Sequence, residues 1–163
     1  MISIRHEEAG DQAEIEKLLD LAFGPGRFAK SSYRLREGVN AIASLCFVGL
    51  MDGQMQGSIR YWPIKVGGAY DSLLLGPLAV NPSVRGKGLG IALVDHSLIA
   101  AQEQGYKSVF LVGDEPYYAR SGFVKTDPGR FSFPGPVDPN RLLLRLLDES
   151  LTADFAGPIE KNS

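Results

Sequence analysis

Arg85-Gly86-Lys87-Gly88-Leu89-Gly90 follows the apolar run Leu73-Leu74-Leu75-Gly76-Pro77-Leu78-Ala79-Val80 and opens a stretch of helical periodicity. Glycines let the backbone take positive φ angles and approach a ligand with no Cβ in the way. Free N–H groups at a helix N-terminus, reinforced by the helix dipole, attract an anion. Arg85 and Lys87 add positive charge at the same place. A loop that merely caps a helix does not require this, since Gly88 and Gly90 each cost helix stability of about 1 kcal/mol relative to alanine. The segment therefore predicts a phosphate or pyrophosphate cradle. Lys87 is followed by Gly88 rather than Ser or Thr, so the nucleotide-triphosphate loop pattern fails. The spacing Gly86-x-Gly88-x-Gly90 also departs from the dinucleotide fingerprint G-x-G-x-x-G.

Reading outward, two glycine turns organise the chain before this loop. Ala43–Met51 and Gln54–Val66 read as strands separated by Asp52-Gly53, a favoured hairpin turn, and Gly67-Gly68 leads into a third strand, Tyr70–Val80. The three form an antiparallel meander. Within the third, Gly76-Pro77 removes a donor and predicts a bulge that leaves main-chain groups of Leu78 and Val80 free for a ligand. Upstream, Ile2 and Ile4 mark a short strand, and Asp11 with Glu14 suggests a capping box for a helix whose apolar face is Ile15, Leu18, Leu19, Ala22 and Phe23. Gly24 and Pro25 stop that helix, and a shorter polar helix covers about Phe28–Arg36.

Downstream, Gly88–Gln104 reads as a helix closed by Gly105, Lys107–Val112 as a buried strand and Glu115–Arg120 as a short helix. Phe123–Lys125 begins a strand, Pro128–Pro139 is a loop and Arg141–Leu147 is a last strand. The order is that of an α/β (α+β mixed) fold, a mixed and mostly antiparallel sheet of about seven strands with about four flanking helices. Residues 1–163 are expected to form one domain, with a coenzyme-binding core over about 73–125 and a loose tail from about 150 to 163. The crossover Leu73–Val112 joins parallel strands, and ligands in such units sit at the carboxyl ends of the strands, here Val80 and the loop after it.

Composition removes several function classes. The formal net charge of −2 gives no sign of a nucleic-acid surface. The apolar stretches are too short to cross a bilayer, and Arg5, His6, Glu7 and Glu8 interrupt any signal-peptide pattern, so no membrane association and a cytoplasmic location are expected. The single cysteine, Cys46, lies in an apolar run and reads as an inert buried thiol. His6 and His96 stand far apart with no cysteine cluster, so no metal is expected.

Three blocks together resemble the GNAT superfamily of N-acetyltransferases, in particular a bacterial subgroup of predicted acetyltransferases. Arg85-x-x-Gly88-x-Gly90 matches the family's pyrophosphate signature, and Leu75–Pro82 resembles its fourth strand and exit. Tyr117-Tyr118-Ala119-Arg120-Ser121-Gly122-Phe123 resembles its recurring F-Y-x-x-x-G-F. The blocks occur in the family's order across Leu73–Phe123. The resemblance implies acetyl-CoA (acetyl-coenzyme A) as co-substrate, splayed fourth and fifth strands, and direct attack by an amine in a ternary complex. It implies further that Leu78, Ala79 and Val80 line the pantetheine arm, and that Arg85, Gly86, Lys87, Gly88, Leu89 and Gly90 hold the pyrophosphate. By the same carry-over Tyr118 points its hydroxyl at the coenzyme sulfur, where a phenol is suited to the departing thiolate, while Tyr117 packs in the core.

The chain also departs from the family. Gly113-Asp114 stands where many members place an asparagine, and Asp114 either contacts the coenzyme or caps the helix after it, the cap being favoured. No glutamate of the fourth strand offers a general base, and only a water relay through Asp71 and Ser72 suggests itself. The acceptor, a small-molecule or peptide amine, is expected between the early helices and the late loop, near Phe28, Tyr33, Arg34, Arg60, Tyr61, Trp62, Phe131 and Phe133. A homodimer stays open. So do two other functions, a non-catalytic acyl-CoA sensor or scaffold and an enzyme of another phosphate ligand.

Overall fold

The structure, a computed structural model, describes residues 1–24, 31–151 and 154–162. Its strands are β1 (Ile2–His6), β2 (Phe47–Met51), β3 (Gln54–Val66), β4 (Tyr70–Val80), β5 (Ser108–Val112), β6 (Val124–Lys125), β7 (Phe131–Ser132), β8 (Leu142–Leu146) and β9 (Gly157–Lys161). The helices among the described residues are α1 (Gln12–Phe23), α2 (Leu89–Glu103) and α3 (Glu115–Ala119), with short 3-10 turns between elements. The sheet runs β1-β2-β3-β4-β5-β8-β6, with β9 against both β3 and β7. The β4–β5 and β7–β9 pairs are parallel and the others antiparallel, so the sheet is mixed as expected.

The meander forms where the glycine turns place it. Asp52 and Gly53 have φ of 53° and 81°, the left-handed pair of a two-residue hairpin, and β3 and β4 keep the predicted limits. Phe47 and Val48 belong to different core clusters because successive strand residues face opposite sides. On one face α2 presses Leu89, Leu93, Val94 and Leu98 onto Phe47, Ile59, Tyr61 and Leu73. On the other, Ile15, Leu18 and Leu19 of α1 cover Val48 and Ala79. The approach of α2 is close. A Cβ on Gly49 would stand 2.6 Å from Leu89 Cδ1, and one on Gly57 would stand 2.9 Å from Leu93 Cδ1.

Several expectations are corrected. Ala43–Leu45 is a 3-10 turn, so β2 starts only at Phe47. Asp11 makes no capping bond at α1; its carboxylate takes the Glu8 N–H at 2.7 Å and both Arg5 nitrogens at 2.8 and 2.9 Å. The early polar helix is a 3-10 turn over Ser31–Leu35, and its predicted start at Phe28, like the stop at Pro25, lies outside the described residues. The Pro128–Pro139 loop contains β7. Residues read as a loose tail instead supply β9, whose Ile159–Lys161 complete the edge of β3 at Ile64–Val66 and bury Phe155 and Ile159. Burying apolar surface offsets the ordering of that segment.

Candidate active site

Strands β4 and β5 pair only at Leu73–Val109 and Leu74–Phe110. Just before that point the Ser72 and Ser108 hydroxyls lie 2.6 Å apart, both buried. Beyond it the strands diverge. From Leu75 to Val80 the β5-facing edge of β4 has no strand partner among the described residues. Gly76 and Pro77 bulge as predicted, since Ile59↔Leu78 is followed on β3 by Tyr61↔Leu75.

A cleft of about 880 Å³ fills the gap. At one end it meets the glycine loop, where Gly86 and Gly88 have φ of 84° and 89°. A side chain at either would meet nothing within 4 Å, so conformation rather than crowding demands glycine and the space in front stays open. Gly88 is the N-cap of α2, and the first intrahelical bond runs from Ala92 N to Gly88 O. The N–H groups of Leu89, Gly90 and Ile91 precede it with no side-chain cap. Arg85 and Lys87 border them on the exposed side. This end can hold a phosphate group.

The two tyrosines of α3 face the same cleft. Tyr118 packs its ring over Gly113, where a Cβ would lie 2.6 Å from Cε2, and against Phe123 at 6.0 Å between centroids. Burial raises its phenol above the usual range, so it stays protonated and keeps a proton to donate. Its hydroxyl has no hydrogen-bond partner among the described residues. Tyr117, expected in the core, also lines the cleft, with its hydroxyl where a Cβ of Gly90 would be. That contact, not backbone conformation, explains the glycine at 90. The turn after α3 is tied down by Ser121, which donates to Asp95 Oδ1 at 2.7 Å and accepts from Arg145 Nη1.

Leu78, Val80, Arg85–Gly90, Asp114 and Tyr118 thus border one cleft, whereas the Ala79 side chain is buried against α1 on the far face. Asp114 holds the N-cap position of α3 but makes no capping bond; it faces Arg141 Nη2 at 3.5 Å. Of the expected acceptor wall, Tyr33, Arg60 and Trp62 line the cleft. Tyr61 is buried and bonded to Ser97 at 2.7 Å, Phe131 and Phe133 belong to the core around Phe110 and Phe155, and Arg34 donates to Pro134 O. Phe28 lies outside the described residues. The relay through Asp71 and Ser72 fails, because Ser72 is sealed against Ser108 and Asp71 is bound to Asn162 at 2.9 Å away from the cleft. Glu16, Phe23, Arg36, Arg120 and Arg141 join the lining without a local signal in the sequence.

The pattern of the acetyltransferase (GNAT) family matches residues 13–123, more than half of the chain. The chain belongs to the GNAT family. As a GNAT member it is an acyltransferase. It is 35% identical over 122 residues to the uncharacterized N-acetyltransferase YhbS of Escherichia coli K12, covering 74% of this chain and 72% of that one. A 1.55 Å crystal structure of Escherichia coli YhbS in complex with CoA superposes with a TM-score of 0.80 at 30% identity, over 99% of this chain and 89% of that one. A GNAT acetyltransferase from Brucella melitensis in complex with acetyl-CoA gives a TM-score of 0.65 at 30% identity, over 88% and 94%. Among the described residues of this GNAT chain, no group of three or more His, Cys, Asp and Glu is placed to hold a metal. None of its described helices is long and apolar enough to cross a membrane. Cys46 is buried, donates to Ile42 O at 3.2 Å, and has its thiol pushed up to about 11 by burial.

Proposed function

We propose that this GNAT enzyme moves the acetyl group of acetyl-CoA to a primary amine of a small molecule or peptide, by direct attack in a ternary complex. One observation carries the reading: a single cleft joins the open glycine loop, the unpartnered edge of β4 and the α3 tyrosines, then continues to α1 and β3. The N–H groups opening α2, with Arg85 and Lys87, suit a pyrophosphate. The bare edge of β4 at Leu78 and Val80 suits the amides of a pantetheine arm, which would complete the strand's hydrogen bonds as a neighbouring strand does elsewhere. Ala79 contributes through its backbone only.

The chemistry then needs few groups. The amine nitrogen forms a bond to the acetyl carbon while the carbon–sulfur bond breaks. The thiolate leaves under a hydrogen bond from Tyr118, whose raised pKa keeps the donor proton in place. The surplus amine proton leaves through the open cleft to water. Asp114, beside Arg141 at the rim, is assigned to the coenzyme's side.

A thermal-shift comparison tests the reading. Acetyl-CoA and CoA should raise Tm, ATP and NAD should not, and thiol release should depend on added amine. Equal stabilisation by ATP would sink the assignment. Stabilisation by CoA without any amine-dependent thiol release would favour a sensor over an enzyme.

A further inference from the structure

Tyr117 brings a hydroxyl to the seam where the bare edge of β4 meets the start of α2. A Cβ built on Gly90, the second residue of α2, would run into that hydroxyl, and the next atoms it would approach are Tyr117 Cζ and Val80 Cγ2, each at 3.4 Å. The oxygen therefore stands between the last residue of β4 and the first turn of α2, beside the main-chain N–H groups that precede the first intrahelical bond. Ring contacts hold it there. The Tyr118 ring lies edge-on at 4.9 Å between centroids, and the Arg120 guanidinium carbon is 5.9 Å from the Tyr117 centroid. Among the described residues the Tyr117 hydroxyl has no hydrogen-bond partner. Burial raises its phenol, so it keeps a proton to donate. Packing alone does not account for this arrangement. With phenylalanine at 117 an alanine at 90 would fit, because both remaining contacts are ordinary ones at 3.4 Å, and alanine favours a helix over glycine. The chain forgoes that helix stability and keeps the hydroxyl.

We infer that Tyr117 is a further coenzyme-binding residue, whose hydroxyl donates a hydrogen bond to the coenzyme where the pantetheine arm joins the pyrophosphate. This rests on the acetyl-transfer reading above and adds a side-chain donor to the main-chain ones. An arm that follows β4 as far as Val80 and a pyrophosphate that sits on the start of α2 have to be continuous, and the seam between Val80 and Gly90 is where the Tyr117 oxygen stands. A half-buried phenol with no protein acceptor gains a partner when the coenzyme arrives, so the bond exists only in the complex. The two tyrosines of α3 then have separate duties, Tyr118 at the reacting sulfur and Tyr117 at the hold on the coenzyme.

Calorimetric titration tests the contact. Tyr117→Phe deletes one oxygen, and CoA should bind that variant about tenfold more weakly. Phosphopantetheine, which keeps the arm and its phosphate but lacks the nucleotide half, should lose affinity by the same factor. The ligand-free Tm should not fall, because the hydroxyl gives up no hydrogen bond to a described residue. Gly90→Ala checks the placement separately. It should lower the ligand-free Tm beside the native tyrosine, and should not in a Tyr117→Phe background, where the added Cβ fits. An unchanged CoA affinity in Tyr117→Phe, or a loss with CoA that phosphopantetheine does not share, overturns the contact. So does an equal loss of Tm from Gly90→Ala in both backgrounds. Failure of CoA to bind the unaltered protein would instead overturn the acetyl-transfer reading itself.

Discussion

At the glycine-loop end of the cleft the polar groups on offer are main-chain N–H groups and a bare strand edge, all within one continuous stretch from Leu75 to Gly90. At the α1 end they are side chains delivered by three separate elements: Glu16 from α1, Tyr33 and Arg36 from the segment after it, and Arg60 and Trp62 from β3. Main-chain geometry is specified by a few neighbouring residues, whereas a convergent wall depends on how distant elements dock. The first end should tolerate almost no substitution at its glycines. The second should yield graded losses.

Gly88→Glu attacks that contrast hardest. A carboxylate about 4 Å from a phosphate costs on the order of 4 kcal/mol at an effective dielectric of about 20. Acetyl-CoA affinity should therefore fall about a thousandfold, checked by loss of the ligand-induced Tm shift. A retained shift would mean that the loop does not hold phosphate. Tyr118→Phe should lower kcat by about a hundredfold or more, with the KM for acetyl-CoA unchanged in steady-state assays. A change confined to KM would reassign the hydroxyl to binding.

Smaller effects belong to the α1 end. Glu7→Gln weakens the two bonds that tether Arg60 and should cost about 1–3 kcal/mol of stability, read as a lower denaturation midpoint with the acetyl-CoA shift intact. Acid should act here as well. Hydrogen bonds from Arg5 hold the Asp11 carboxyl down to about 2, below its ordinary value near 4. A depressed carboxylate contributes stability above its unfolded pKa and loses it as pH falls through the folded one, so the window is from about pH 4 to 2. Because Arg5 is 40% exposed, screening reduces the contribution to about 1 kcal/mol. Asp11→Asn should lower Tm at pH 7 and flatten its decline across that window. A parallel decline in both proteins would remove Asp11 as the source.

The same contrast explains what could be read in advance. The limits of β3 and β4 and the open loop were legible because each depends on adjacent residues: Asp52-Gly53, Gly67-Gly68, Gly76-Pro77 and Gly86–Gly90. Arg36 and Glu16 were not, since nothing beside them in the chain marks them; only docking of α1 and the following turn against β3 makes them neighbours. Strands β7 and β9 escaped for another reason. Two residues carry no periodicity, and Pro158 within β9 argues locally against a strand until the edge of β3 is there to receive it. Tyr117 misled because burial in the core and packing on Gly90 look alike without coordinates.

Two residue pairs beyond the Ser72–Ser108 hydroxyl contact, at Leu74 and Phe110, lies the apex from which β4 and β5 separate. From Leu74, the last paired residue, to Val80 the strand advances about 20 Å at roughly 3.3 Å per residue. The slot is in effect a gauge graduated in amino acids. Adding or removing one residue between apex and loop would slide one end past the other by about 3.3 Å, far beyond the ~1 Å misplacement that already costs a reaction about a hundredfold. Descendants of this chain can vary the loops at its periphery, but the interval from 74 to 80 has to keep its count.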